Sequence, residues 1–168
     1  IYNGQVTVPL VIRTPVGGRR GYGPTHSQSL EAFFMSVSGL EIIAPSLCHN
    51  PGEMLEALIN NIERPTIFLE YKIDYAKKFY KDKMGDFFII KNHIEKQNKN
   101  LILSLYPDEN PDVLIITYGG NVSIATEAAE KAFMDEEIIT NVLVVCSVRP
   151  IDEDWIISKV KQCGNIII

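Results

Sequence analysis

Short runs of β-branched and aliphatic residues recur along this chain, separated by loops and by stripes of apolar residues at helical spacing, in the same order twice. Few architectures accept that order. Val6 to Ile12 reads as a buried strand. After a loop, Leu30, Phe33, Phe34 and Val37 fall at i, i+3, i+4 and i+7, the spacing of an amphipathic helix that Gly39 is placed to stop. Leu40 to Ala44 is a second strand. Asn50 with Glu53 resembles a capping box with Pro51 at the first helical position, and Met54, Leu55, Leu58, Ile59 and Ile62 form one apolar stripe. Thr66 to Leu69 is a third strand. The second stretch runs from a strand at Asp112 to Tyr118, through a turn at Gly119-Gly120-Asn121, to a helix over Val122 to Met134. A strand at Asn141 to Val148 follows, then a helix capped by Asp152 with Trp155, Ile156 and Val160 on one face, and a further strand at Ile166 to Ile168 after Gly164. Strands apolar on both faces and alternating with helices imply α/β architecture: two three-layer units, each a parallel sheet covered on both sides and joined by right-handed crossovers. Tyr71 to Pro111 is rich in Lys, Asn and Asp with weak periodicity, and reads as a linker carrying short elements such as Phe87 to Ile90. The expected division is 1–75, 76–111 (linker) and 112–168.

Composition narrows the class. The 168 residues carry 16 Lys+Arg against 21 Asp+Glu, a net charge of −5, with 46% hydrophobic and 22% charged residues, the profile of a soluble globular protein. Mild acidity argues against the basic footprint that nucleic acid requires. No apolar run reaches the roughly 18 residues of a membrane-spanning helix. Cys48, Cys146 and Cys163 are odd in number and widely spaced, which favours a reducing compartment over a disulfide framework. Cys146 reads as a buried, inert thiol, and Cys48-His49 as part of a turn rather than a metal site.

The segment Pro15 to Gln28 is the most unusual. Gly17, Gly18, Gly21 and Gly23 permit conformations and close approaches that other residues forbid, and a strand-to-helix loop lies at the carboxyl edge of an α/β sheet, where ligands bind. The N-terminus of the following helix would offer N–H groups to an anion. No Gly-Lys-Ser/Thr follows and no GxGxxG is in register, so the loop is neither a P-loop nor a dinucleotide fingerprint. It is an anion- or polar-ligand loop or a structural turn. His26, at the loop-to-helix junction, is a candidate proton donor or acceptor, or else a capping residue; such a catalytic group contributes about 10² to 10⁴ in rate. Ser27 has no evident orienting partner and is discounted as a nucleophile. His93, in the linker, reads as structural.

At this loop a resemblance enters. Val8-Pro9-Leu10-Val11-Ile12-Arg13-Thr14-Pro15-Val16-Gly17-Gly18 and Thr25-His26-Ser27-Gln28-Ser29-Leu30-Glu31-Ala32-Phe33-Phe34 resemble the beta subunit of the thiamine-diphosphate-dependent decarboxylating component of 2-oxo acid dehydrogenase complexes, within the transketolase-like group. Gly39-Leu40, Ile42 to Ser46 and Pro65 to Glu70 continue the match. Asp112 to Gly119 and Arg149-Pro150-Ile151-Asp152 resemble the transketolase C-terminal domain. Tyr71 to Asn110 lies outside the match, and Ser38 stands where a proline is common.

The resemblance implies a partial chain: the last part of a pyrimidine-binding domain and the beginning of a transketolase C-terminal domain, inactive as an isolated piece. It further implies an α2β2 tetramer with an alpha subunit, oxidative decarboxylation of a small 2-oxo acid, and acyl transfer to a lipoyl-bearing acyltransferase core. Thiamine diphosphate is the implied cofactor, its magnesium held by the alpha subunit, so that no metal site is expected here. His26 matches the family's channel histidine, which assists acyl transfer. Ser27 and Gln28 are weaker candidates as its motif neighbours, and Arg19 and Arg20 would attract a carboxylate or phosphate by charge. The cofactor-activating glutamate is expected upstream of Ile1, since Glu31 and Glu70 match other positions. A branched-chain substrate is slightly favoured, and the setting is a bacterial cytoplasm or a mitochondrial matrix. The alternatives are a single-chain transketolase or deoxyxylulose-phosphate synthase relative, or a non-catalytic subunit-assembly module.

Overall fold

A computed structural model describes residues 5–18, 21–95 and 98–168, excluding the side chains of residues 93–95 and 98. β1 (Val11–Val16) leads through the glycine loop to α1 (Glu31–Phe34), β2 (Glu41–Ile43), α2 (Pro51–Asn60) and β3 (Thr66–Tyr71). β4 (Lys83–Met84), β5 (Phe88–Glu95) and β6 (Asn98–Ser104) come next, followed by β7 (Val113–Thr117), α3 (Val122–Glu136), β8 (Thr140–Val144), β9 (Ser147–Arg149), α4 (Glu153–Val160) and β10 (Asn165–Ile167). The strands form two sheets, β1-β3-β2-β9 and β10-β7-β8-β6-β5-β4.

Both sheets are mixed, where parallel ones are expected from the sequence. β1, β3 and β2 run parallel, with Val11 and Glu41 flanking Thr66, but β9 joins β2 antiparallel. β10, β7 and β8 run parallel, while β8-β6-β5-β4 is antiparallel. The stretch read as a linker therefore contributes three strands to the second sheet: β5 and β6 pair from Ile89↔Ser104 to Glu95↔Asn98, and Leu103 sits opposite Val142 of β8. Within it Phe88, Ile90, Leu101 and Leu103 are buried, together with the polar Asn100 and Ser104. The second stretch also differs in one strand. Asn141 to Val148 is not one strand, because β8 ends at Val144 and β9 crosses to the first sheet, aligning Ile42 with Arg149.

Burial follows the pleat. In the first sheet Ile42, Ile67 and Leu69 face one side, while Ile43 and Phe68 face α2 and its buried Met54 and Leu58. In the second, Leu101, Leu103, Val142 and Val144 pack on Val122, Ala125 and Ala129 of α3, while Leu114, Leu143 and Val145 face Trp155, Ile156 and Val160 of α4. Each such aliphatic side chain contributes about 1.5–3 kcal/mol on burial. The caps at Asn50 and Asp152 are present: Asn50 Oδ1 accepts from the backbone N–H of Gly52 and Glu53, and Asp152 Oδ1 from that of Trp155.

The first strand and first helix differ from expectation. Residues 5–10 are not in a strand, β1 is an edge strand with Ile12 and Arg13 exposed, and the helix is a single turn. An amphipathic stripe holds a short helix only against a surface that buries it. Phe33 is 76% exposed and Leu30, Phe34 and Val37 are exposed too, so no described residue supplies that surface.

Candidate functional site

Parallel strands bring the ends of β1, β2 and β3 to one edge of the first sheet, and the end of β7 meets that edge through Tyr71. A Cβ placed on Gly119, just past β7, would lie 2.0 Å from Tyr71 Cε2, and one on Gly120 2.8 Å from Tyr71 Cδ1. Only glycine permits this approach, and Gly119 also has φ +55°. The carboxyl edges of the two sheets thus abut at one ring.

The glycine loop springs from the same place. Gly17, at φ +81°, follows the buried Val16, and its N–H donates to the Gln28 carbonyl at 3.0 Å, closing the loop. Ser27 is half-buried against Gly18, where an added Cβ would stand 3.2 Å from Ser27 Cβ. Pro24 opens a 3-10 turn through His26, whose side chain is left exposed. Lys72, directly after β3, donates from Nζ to the His26 carbonyl and lies 6.0 Å from the centre of the Tyr22 ring. The turn and the four-residue α1 do not provide the helix N-terminus expected to receive an anion; what the loop presents is an imidazole on a backbone held at Gly17, Gln28 and Lys72. Gln28 is exposed, its carbonyl engaged by Gly17. Arg19 and Arg20 lie outside the described residues.

A polar cluster joins the loop to the second sheet. Glu31 is only 6% exposed; Tyr118 OH donates to its Oε1 at 2.9 Å and Tyr71 OH at 3.5 Å. Burial, first, and the neighbouring Glu31 push the Tyr118 phenol up to about 12 and Tyr71 upward as well, so both remain protonated donors at neutral pH. The rings meet edge-to-face at 6.4 Å. Lys72, Tyr71 and Tyr118 did not emerge from the sequence as site residues; they come from separate elements, and only the fold unites them.

A cavity of about 270 Å³ beside the first sheet is lined by Arg13, Glu70, Tyr75, Asp74 and His49 among others. Arg13 Nε donates to Glu70 Oε1 and Tyr75 OH to Glu70 Oε2 at 3.0 Å, so the carboxylate there is already satisfied. His49 is buried. Ser46 N–H donates to its Nδ1 at 3.0 Å, which places the proton on Nε2, and this donates to the Lys99 carbonyl at 2.7 Å. Burial lowers its pKa to about 4, leaving a neutral pin between the β2–α2 loop and β6. Cys48 and Cys146 are buried thiols, each pushed up to about 12 chiefly by burial, and so are unreactive at neutral pH. Among the described residues no group of three or more His, Cys, Asp or Glu could hold a metal ion.

Comparison with known proteins finds relatives along the chain. The model of the transketolase C-terminal domain matches residues 105–168. Subunit beta-1 of the mitochondrial pyruvate dehydrogenase E1 component of Arabidopsis thaliana is 31% identical over 169 residues, covering 98% of this chain and 43% of the relative. The 2-oxoisovalerate dehydrogenase subunit beta of Bacillus subtilis is 30% identical over 168 residues, covering 99% and 47%. The chain thus spans about half the length of the curated relatives it matches. Among solved structures, a split-gene transketolase described as an inactive beta4 tetramer superposes with a TM-score of 0.63 at 19% identity, covering 93% of this chain and 46% of that one. A transketolase from Pichia stipitis gives a TM-score of 0.58 at 18% identity, covering 86% and 21%. The meeting of two α/β sheets at their carboxyl edges is therefore a transketolase-like fold; residues 105–168 match the transketolase C-terminal domain, and the chain is similar over almost its whole length to the beta subunits of pyruvate and 2-oxoisovalerate dehydrogenases.

Proposed function

We propose that the protein carrying this chain is the beta subunit of a thiamine-diphosphate-dependent 2-oxo acid dehydrogenase, acting with an alpha subunit to decarboxylate a small 2-oxo acid and pass the acyl group to a lipoyl arm. The observation that carries this reading is His26, an exposed imidazole on a closed glycine loop at the junction of the two carboxyl edges. The donor set there fits the substrate side of a thiamine diphosphate site: an imidazole, a hydroxyl and an amide at His26, Ser27 and Gln28. In this reading the alpha subunit holds the phosphate and magnesium, and the cofactor-activating glutamate belongs to a part of the beta subunit outside this sequence.

The cofactor, when bound, supplies the carbanion chemistry that lets carbon dioxide leave. The chain's own groups do the rest. His26 donates a proton or hydrogen bond to the substrate oxygen and to the lipoyl sulfur as the acyl group transfers, a role worth about 10² to 10⁴ in rate. Lys72 holds the backbone beneath it, and Ser27 and Gln28 fix its neighbours. Arg19 and Arg20, on the same loop in sequence, are proposed to attract the substrate carboxylate. The apolar side chains of α1 and β1, with Phe33 foremost, offer a contact surface for further polypeptide. The beta-subunit identity of the relatives along the chain favours this reading over a single-chain transketolase or synthase and over a non-catalytic module. A bacterial cytoplasm or mitochondrial matrix remains the proposed setting, and a branched-chain acid the proposed substrate. In the assembled enzyme, His26→Ala is expected to slow reductive acylation of a lipoyl domain by at least about 10²-fold; an unchanged rate would remove His26 from the mechanism.

A further inference from the structure

From Gln28 to Gly39 every residue is exposed except Glu31, so the one side chain buried here is a carboxylic acid, while Phe33 two residues on faces solvent. Burying a carboxyl group is costly unless it is specifically partnered, and an apolar side chain would be the ordinary choice. The partner is Tyr118, 87 residues away at the end of β7, whose hydroxyl donates to Glu31 Oε1 at 2.9 Å. Tyr71, at the end of β3, adds a longer contact to the same oxygen, and its ring is seated on Gly119 and Gly120. Glu31 Oε2 is buried and has no hydrogen-bond partner among the described residues, so the polar attachment of this side chain runs through Oε1 alone. His26 lies five residues earlier in the same short segment.

We propose that Glu31 is a positioning residue: through its hydrogen bond to Tyr118 it sets the height of α1 and of the His26 loop over the junction of the two sheets. The consequence for turnover rests on the reading of His26 given above; the positioning itself does not. Displacement of a catalytic group by about 1 Å can cost about 10²-fold in rate, so an acid five residues from His26, anchored to a distant strand, acts on the chemistry through geometry.

The test uses the full-length subunit assembled with its alpha partner, and compares Tyr118→Phe, Glu31→Ala and Glu31→Gln. Amide hydrogen exchange over residues 21–35 is expected to quicken by about 10-fold or more in Tyr118→Phe and Glu31→Ala, with β8 unchanged. Glu31→Gln keeps an acceptor for the Tyr118 hydroxyl and is expected to exchange as the wild type does. In the first two variants kcat for lipoyl acylation falls at least about 10-fold while KM for the 2-oxo acid stays within about twofold. Unchanged exchange in the loop overturns the proposal, as does a rise that is equal in β8, which marks general loosening. If Glu31→Ala does not fold, Tyr118→Phe, which removes one oxygen, decides the matter. Faster exchange with unchanged turnover upholds the positioning and overturns the assignment of His26.

Discussion

Acid should loosen the joint between the two sheets through one histidine. His49 accepts from Ser46 N–H and donates to the Lys99 carbonyl, and its burial holds its pKa at about 4 against 6.5 for the free side chain. The folded state therefore resists a proton that the unfolded chain takes up readily between those two values. Stability from this group is present above pH 6.5 and is lost as the pH falls toward 4. Integrating the difference gives a loss of about 2 kcal/mol at pH 5 and about 3 kcal/mol at pH 4 from His49 alone. Urea unfolding of the wild type and of His49→Gln at pH 7.5, 5 and 4 isolates this term, because the other titrating groups are common to both proteins. The variant loses hydrogen bonds and is less stable at pH 7.5, but the gap should close by about 3 kcal/mol on going to pH 4. A gap of the same size at both ends of the range would refute the buried, neutral pin.

Two further outcomes follow from the same geometry. Asn100 is fully buried and its Oδ1 accepts from Cys146 N–H at 2.8 Å and Ser147 N–H at 3.4 Å, where the chain crosses from the second sheet to the first. Asn100→Leu orphans buried donors and should cost about 2–4 kcal/mol in urea unfolding. Lys72→Met removes the bond to the His26 carbonyl at an exposed site, so the melting temperature should hardly move. Steady-state acylation of a lipoyl domain should nevertheless slow several-fold, by about the factor that loop misplacement imposes.

The parts of this molecule that could be read from the sequence are those set by local spacing. The cap at Asn50, the stripe through Met54 and Leu58, the strand that precedes Gly119, and the loop that bears His26 all depend on neighbours a few residues apart. What escaped reading depends on distant partners. β5 and β6 look polar in part because Asn100 and Ser104 are polar residues buried within β6, and the strands' place in the second sheet is fixed by β8, some 40 residues on. The apolar run from Val142 to Val148 has no break in hydrophobicity, and the switch of sheets within it is held by the side-chain oxygen of Asn100, 46 residues away. Glu31 sits in a segment that otherwise reads as amphipathic helix, and nothing near it announces Tyr118. The helical spacing around Phe33 is real, yet without a covering surface it yields a single turn.

The most direct test of the account is carbon dioxide release from a 2-oxo acid by the full-length protein with thiamine diphosphate and magnesium, measured with and without an alpha subunit and with a lipoyl domain as acceptor. Release coupled to acylation of the lipoyl domain, and dependent on both subunits, is expected of a beta subunit of this kind. Absence of release from the complete mixture, or release by this protein without any alpha subunit, would contradict that reading.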